Sequence, residues 1–185
     1  MSQEDIKKLV SLQRNHFKSG TTKPYQNRIA LLRKLKEVIL SNKDKIYGAL
    51  KKDLNKCEFE AYVSETGLLI KDIDFVVKKL KRWMRPNRIK TPLIHFPAKS
   101  YIYHEPYGTI LIIAPWNYPL QLLISPLIGA LSAGNTAIIK PSEIARLRFF
   151  PFFSSSFILS NINMLASTAI PTDNINPAIP AAVSV

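Results

Sequence analysis

No charged residue lies between Glu105 and Lys140, and this single stretch restricts the folds open to the chain more than any other feature. A run that long either crosses a membrane or is buried inside a globule. Pro115, Asn117, Pro119, Gln121, Pro126 and Asn135 divide it into pieces shorter than the roughly 20 apolar residues a spanning helix needs. Burial is therefore the expected outcome. Residues 108–114 form a β-branched apolar run of the kind buried on both faces in a parallel sheet. Pro115 to Pro119 read as a turn, with Pro119 suited to the first position of a helix. Residues 120–133 read as that helix, which Pro126 should kink or restart. Gly134 and Asn135 supply a C-terminal stop, and residues 136–140 a second short buried strand. The unit is strand–helix–strand, and Pro141, Ser142 and Glu143 lead the chain away from it.

Upstream the pattern is helical. Residues 3–17 place Ile6, Leu9, Val10 and Gln13 on one side, and Gly20 and Pro24 end that helix. In residues 25–40, Ile29, Leu32, Leu35 and Ile39 recur at helical spacing between Arg28, Arg33, Lys34 and Lys36. Asn42 is placed to cap a short helix carrying Ile46, Ala49 and Leu50. Phe59, Val63, Thr66, Ile70, Ile73, Val77, Leu80 and Met84 alternate steps of four and three, which predicts one long helix with a narrow seam, ended by Pro86. After Pro92, Tyr101, Tyr103 and Glu105 alternate with Ile102 and His104, as in a strand. The fold class that follows is α/β, with N-terminal helices packed on an incomplete parallel sheet.

Charge is distributed unevenly. The chain has 185 residues, with 26 Lys+Arg against 13 Asp+Glu, a net charge of +13. Glu37, Asp44, Asp53, Glu58, Glu60, Glu65, Asp72 and Asp74 interleave with the lysines, so the basic helices read as solvated surfaces and not as a nucleic-acid interface. A lone Cys57 excludes a disulfide framework within the chain, and three scattered histidines offer no metal spacing. Cys57 reads as a half-buried bystander. The polar start has no apolar segment behind it, which points to a cytoplasmic protein. After position 146 only Arg148 and Asp173 are charged, and all six glycines lie at or before Gly134. This break divides residues 1–146 from a tail, 147–185, expected to be disordered. Pro151, three serines, Asn161 and Asn163 make the uncharged stretch 149–172 a poor membrane span.

Chemistry is expected at the carboxyl ends of the two parallel strands, where open sheets bind ligands. Both the 115–117 turn and Lys140 to Glu143 lie there. An Asn side chain in such a turn can donate a hydrogen bond to a developing oxyanion. A Lys and a Glu three residues apart can hold the hydroxyls of a ribose as donor and acceptor, although the same spacing fits ordinary surface charges at a strand end. The Gly-x-Gly-x-x-Gly phosphate cradle is missing, so the sheet is Rossmann-like without the usual dinucleotide fingerprint.

Glu105-Pro106-Tyr107-Gly108, then Ile112-Ile113-Ala114-Pro115-Trp116-Asn117-Tyr118-Pro119, then Pro126-Leu127-Ile128-Gly129-Ala130, Ala133-Gly134-Asn135 and Lys140-Pro141-Ser142-Glu143 together resemble the NAD(P)-dependent aldehyde dehydrogenases. The branch acting on fatty and aromatic aldehydes is the most similar. Ala49-Leu50-Lys51-Lys52-Asp53-Leu54, Glu60-Ala61-Tyr62, Ser64-Glu65 and Lys81-Arg82-Trp83 fit the same branch, so the likeness runs over residues 25–143. It implies oxidation of an aldehyde to a carboxylate with NAD or NADP, on the N-terminal part of that family's cofactor-binding domain. Asn117 matches the family's oxyanion donor. Lys140 and Glu143 match its pair on the adenosine ribose, with Ser142 beside them. Ile113, Ala114, Pro115 and Trp116 match the turn along the dinucleotide. A glutamate at the ribose favours NAD, since a 2′-phosphate would meet its charge. Residues 100–105 match the arm through which family members form homodimers. The family's catalytic cysteine, general-base glutamate and Gly-rich turn lie downstream of the likeness and have no counterpart here, so negligible turnover is expected of this chain alone. Two other readings stand beside this one. One is a non-catalytic remnant arising by truncation or a frame change near Ile144; the other is a membrane or interaction module built on the basic helices and the Phe-rich tail.

Overall fold

The computed structural model describes residues 2–142 and the backbone of 165–166. It begins with α1 (Gln3–Lys18), α2 (Tyr25–Ser41) and α3 (Lys43–Leu54). Next come α4 (Glu58–Ala61), a π-helical turn (Tyr62–Thr66) and α5 (Gly67–Trp83), which run on without a break. A ribbon of β1 (Asn87–Ile89) and β2 (Ser100–Ile102) precedes β3 (Thr109–Ile113), α6 (Gln121–Ala133) and β4 (Thr136–Lys140). Leu165 and Ala166 form β5. The main sheet has the order β3–β4–β5, parallel throughout, and the ribbon is a separate antiparallel pair.

Burial of one stripe on each helix holds these elements together. Ile29, Leu32, Leu35, Val38 and Ile39 of α2 meet Leu69, Ile73 and Leu80 of α5 and Leu123, Ile124, Leu127 and Ile128 of α6 in one core. The apolar run thus folds as expected into strand, helix and strand, with α6 packed on β3 and β4. Pro126 sits inside α6 without ending it, and the helix starts at Gln121, just after Pro119 and Leu120. The second strand is buried along residues 136–139.

Several expectations are corrected. The first strand is not buried on both faces: Leu111 is 53% and Ile113 63% exposed, because β3 is an edge of this sheet among the described residues. The long seam is out of register at its start, where Phe59 is 77% exposed. The π turn adds about one residue to a helical turn and so rotates everything before it by roughly 100° relative to the rest. Ala61, Glu65 and Thr66 face inward instead, followed by Leu69 and Ile73. The turn is tight at Gly67, where a Cβ would lie 2.7 Å from the Tyr62 carbonyl. Asn42 holds the N-cap position of α3 as expected, but its side chain makes no capping bond there; its Nδ2 donates to the Val38 carbonyl at 2.9 Å and closes α2. Cys57 is exposed, at the start of α4. The alternation at 101–105 yields a strand only to Ile102, paired with β1 in the register Arg88 to Tyr101. Glu143 and the expectations for 147–185 lie outside the described residues, apart from the backbone of β5.

Gly134 closes α6 at φ +84°, and a Cβ there would lie 2.7 Å from the Arg28 guanidinium. That guanidinium is buried, with Nη1 donating to the Ser132 carbonyl at 3.0 Å and Nε to the Thr22 carbonyl at 3.3 Å. Gly134→Ala combines left-handed strain with displacement of Arg28, so a loss of about 2 kcal/mol is expected. A urea midpoint equal to that of the unaltered chain would contradict this account.

Candidate functional site

The turn after β3 and the end of β4 are brought to one edge by parallel pairing. Ile113 is the register partner of Lys140, so the two side chains emerge on the same face. One step further, the Ala114 amide donates to the Lys140 carbonyl at 3.1 Å. Ala114 points inward and is buried, whereas Ile113, Pro115, Trp116 and Asn117 are exposed. Lys140 and Ser142 are half-buried. All of the described candidate residues therefore share the carboxyl edge. The arrangement offers an uncharged amide donor at Asn117, an indole beside it, and an ammonium on the neighbouring strand end.

Beneath this edge lies a group that sequence reasoning placed among the solvated charges. Glu65 is fully buried, and Lys56 nearly so. Lys56 Nζ donates to Glu65 Oε1 at 2.7 Å and to the main-chain carbonyl of Asn117 at 3.1 Å. It also sits 4.0 Å from the centre of the Tyr118 ring, a cation–π distance. The other oxygen of Glu65 accepts from the amides of Leu120 at 2.9 Å and Gln121 at 3.2 Å. The carboxylate thus occupies the N-terminal amides of α6, where the helix dipole favours negative charge. The signal that could have found it is faint: Glu65 adjoins Thr66 of the seam, and its partner is a lysine in the loop before α4.

This pairing bears on how a dinucleotide could sit here. In glycine-rich Rossmann units the first crossover helix offers free amides to the pyrophosphate. Here Glu65 holds those of Leu120 and Gln121, and Leu122 donates to the Tyr118 carbonyl at 3.0 Å. The missing cradle and the occupied helix start agree. The residues at the edge fit the nucleoside end of such a cofactor, through Lys140 and the exposed faces of Ile113 and Trp116, but not its phosphates at α6. Among the described residues no group of three or more His, Cys, Asp or Glu is placed to hold a metal. None of the described helices is long and apolar enough to cross a membrane.

Comparison with known proteins gives these residues a context. The pattern of the aldehyde dehydrogenase family matches residues 1–154. The 4,4'-diaponeurosporen-aldehyde dehydrogenase of Staphylococcus aureus is 52% identical over 128 residues, covering 69% of this chain and 28% of that protein. Aldehyde dehydrogenase family 3 member H1 of Arabidopsis thaliana is 44% identical over 137 residues, covering 74% of this chain and 28% of its own. The chain thus spans little more than a quarter of these relatives. Among solved structures, the substrate-bound AldH of Staphylococcus aureus superposes with a TM-score of 0.79 at 42% identity, over 88% of this chain and 36% of that one. The glyceraldehyde-3-phosphate dehydrogenase GapN of Methanocaldococcus jannaschii, solved with NADP, reaches 0.74 at 21% identity over 89% of this chain and 35% of that one. At that identity the likeness speaks for the fold alone.

Proposed function

Because this chain belongs to the aldehyde dehydrogenase family, we propose that residues 1–146 are the N-terminal part of a cofactor-binding domain serving the oxidation of an aldehyde to a carboxylate with NAD or NADP. The observation that carries the proposal is the pairing of Ile113 with Lys140, which sets the Asn117 turn and the Lys140 strand end side by side. In this reading the Asn117 amide donates to the oxygen of the aldehyde as negative charge develops on it, an uncharged donor that needs no proton transfer. Lys140, Ser142 and Glu143 hold the adenosine ribose. Ile113, Ala114, Pro115 and Trp116 lie along the dinucleotide, with the indole and the Ile113 side chain giving it apolar contact. The cofactor, when bound, supplies the hydride acceptor.

The apolar aldehyde named in the Staphylococcus aureus relative favours a substrate with a large hydrocarbon body. The β1–β2 ribbon exposes Ile89, Tyr101 and Ile102, which suits a homodimer contact. A single exposed thiol, Cys57, accords with a cytoplasmic setting.

The test is a titration of the full chain with NAD. Lys140→Ala removes a charge-assisted hydrogen bond and is expected to weaken binding by about tenfold or more. Asn117→Ala should leave affinity for NAD unchanged, since its amide serves the aldehyde oxygen. An unaltered chain that does not bind NAD, or a Lys140→Ala chain that binds it equally well, would falsify the assignment.

A further inference from the structure

We propose that Lys56 and Glu65 are positioning residues of the oxyanion-donor turn, a buried ion pair that fixes where the Asn117 amide points; the inference rests on the role proposed above for Asn117. Three hydrogen bonds to the main chain carry it. Lys56 Nζ holds the main-chain oxygen of Asn117, and Glu65 Oε2 holds the amides of Leu120 and Gln121. The segment from Asn117 to Gln121 is thereby gripped at both ends from below, and the 2.7 Å bond between Lys56 and Glu65 ties the two grips together. Tyr118 closes over the ammonium. Nothing in this grip uses the Asn117 side chain, which stays exposed and free to meet a substrate. The turn needs such help because it is short of ladder bonds. β3 ends at Ile113, α6 starts at Gln121, and Pro115 and Pro119 bring no amide donors of their own. A turn with exposed side chains above and no support below would sample several conformations, and an oxyanion donor acts only when held near one geometry. The pair lies in the α4 region, away from the strand–helix–strand unit in sequence but under its active edge in space.

Trp116 adjoins the gripped segment, so it reports on the turn without requiring turnover. In a Trp83→Phe background, which leaves Trp116 as the remaining tryptophan, acrylamide quenching of the full chain is measured together with NAD affinity. Lys56→Met removes the ammonium while keeping the stem. Quenching of Trp116 should rise about twofold and NAD affinity fall about fivefold, because Trp116, which lies along the dinucleotide in the proposed function, moves with the loosened turn. Lys56→Arg keeps the charge and the donors, and both readings should return towards those of the parent. Leu50→Ala, a core change in α3, is the control for destabilisation alone and should move neither reading. If Lys56→Met does not fold, Glu65→Gln takes its place with the same expected changes, because it breaks the ion pair while keeping the side-chain volume. Parent-like quenching in the folded variant, or an equal rise in Leu50→Ala, overturns the inference. Absence of NAD binding by the parent would sink the proposed function instead, and quenching would then decide the inference on its own.

Discussion

Glu65→Ala is expected to destabilise the chain by about 3–5 kcal/mol, because it strands the buried ammonium of Lys56 without its partner. The α6 amides of Leu120 and Gln121 lose their acceptor in the same step. Against a typical domain stability of about 5–15 kcal/mol this is a large share, and the urea midpoint should fall accordingly. Replacing both partners, as in Lys56→Met with Glu65→Leu, should cost less than the sum of the two single changes, since no unpaired charge is left in the core. It should not restore the parent's stability, because each orphaned amide still costs about 1–3 kcal/mol. Single changes that simply add in the double variant would show that the two side chains act independently, contrary to the geometry.

The second large effect separates two ways of placing the α4–α5 helix. Leu69 is fully buried on α5, which packs against both α2 and α6, and Leu69→Ala should cost about 3–5 kcal/mol as transfer and cavity terms combine. Phe59, an inward residue if the helix were regular, is exposed, and Phe59→Ala should change stability by no more than about 0.5 kcal/mol. Denaturant melts separate the two placements at Phe59, since Leu69 follows the π turn and shares the inward face of Ile73 in both. A loss from Phe59→Ala comparable with that from Leu69→Ala would mean a regular helix over this segment.

Those two segments also show where sequence reasoning stops. The stripe of α2 is legible because one face, Ile29 to Ile39, repeats with the helix period and nothing interrupts it. Residues 136–140 are legible as a strand because a glycine stop precedes a short β-branched run. Asn117 is legible as a turn residue because prolines stand on either side. The π turn is hidden, because one added residue leaves the local spacing of apolar side chains nearly intact while rotating the faces. β1 is hidden for a different reason: three residues are too few to show a period, and pairing with β2 alone makes Asn87–Ile89 a strand.

The strand–helix–strand unit, the carboxyl-edge position of Ile113 to Asn117 and of Lys140, and the family likeness that gives those positions a chemistry are all legible along the chain. These are properties of neighbours along the chain, set by period, length and punctuation. That Glu65 is a core residue, and not one more surface charge, follows from long-range contacts alone. A carboxylate is stable in a core only when an ammonium and amide donors meet it there. Those partners come from the loop at Lys56 and the start of α6 at Leu120 and Gln121, and only the closing of the fold brings them together.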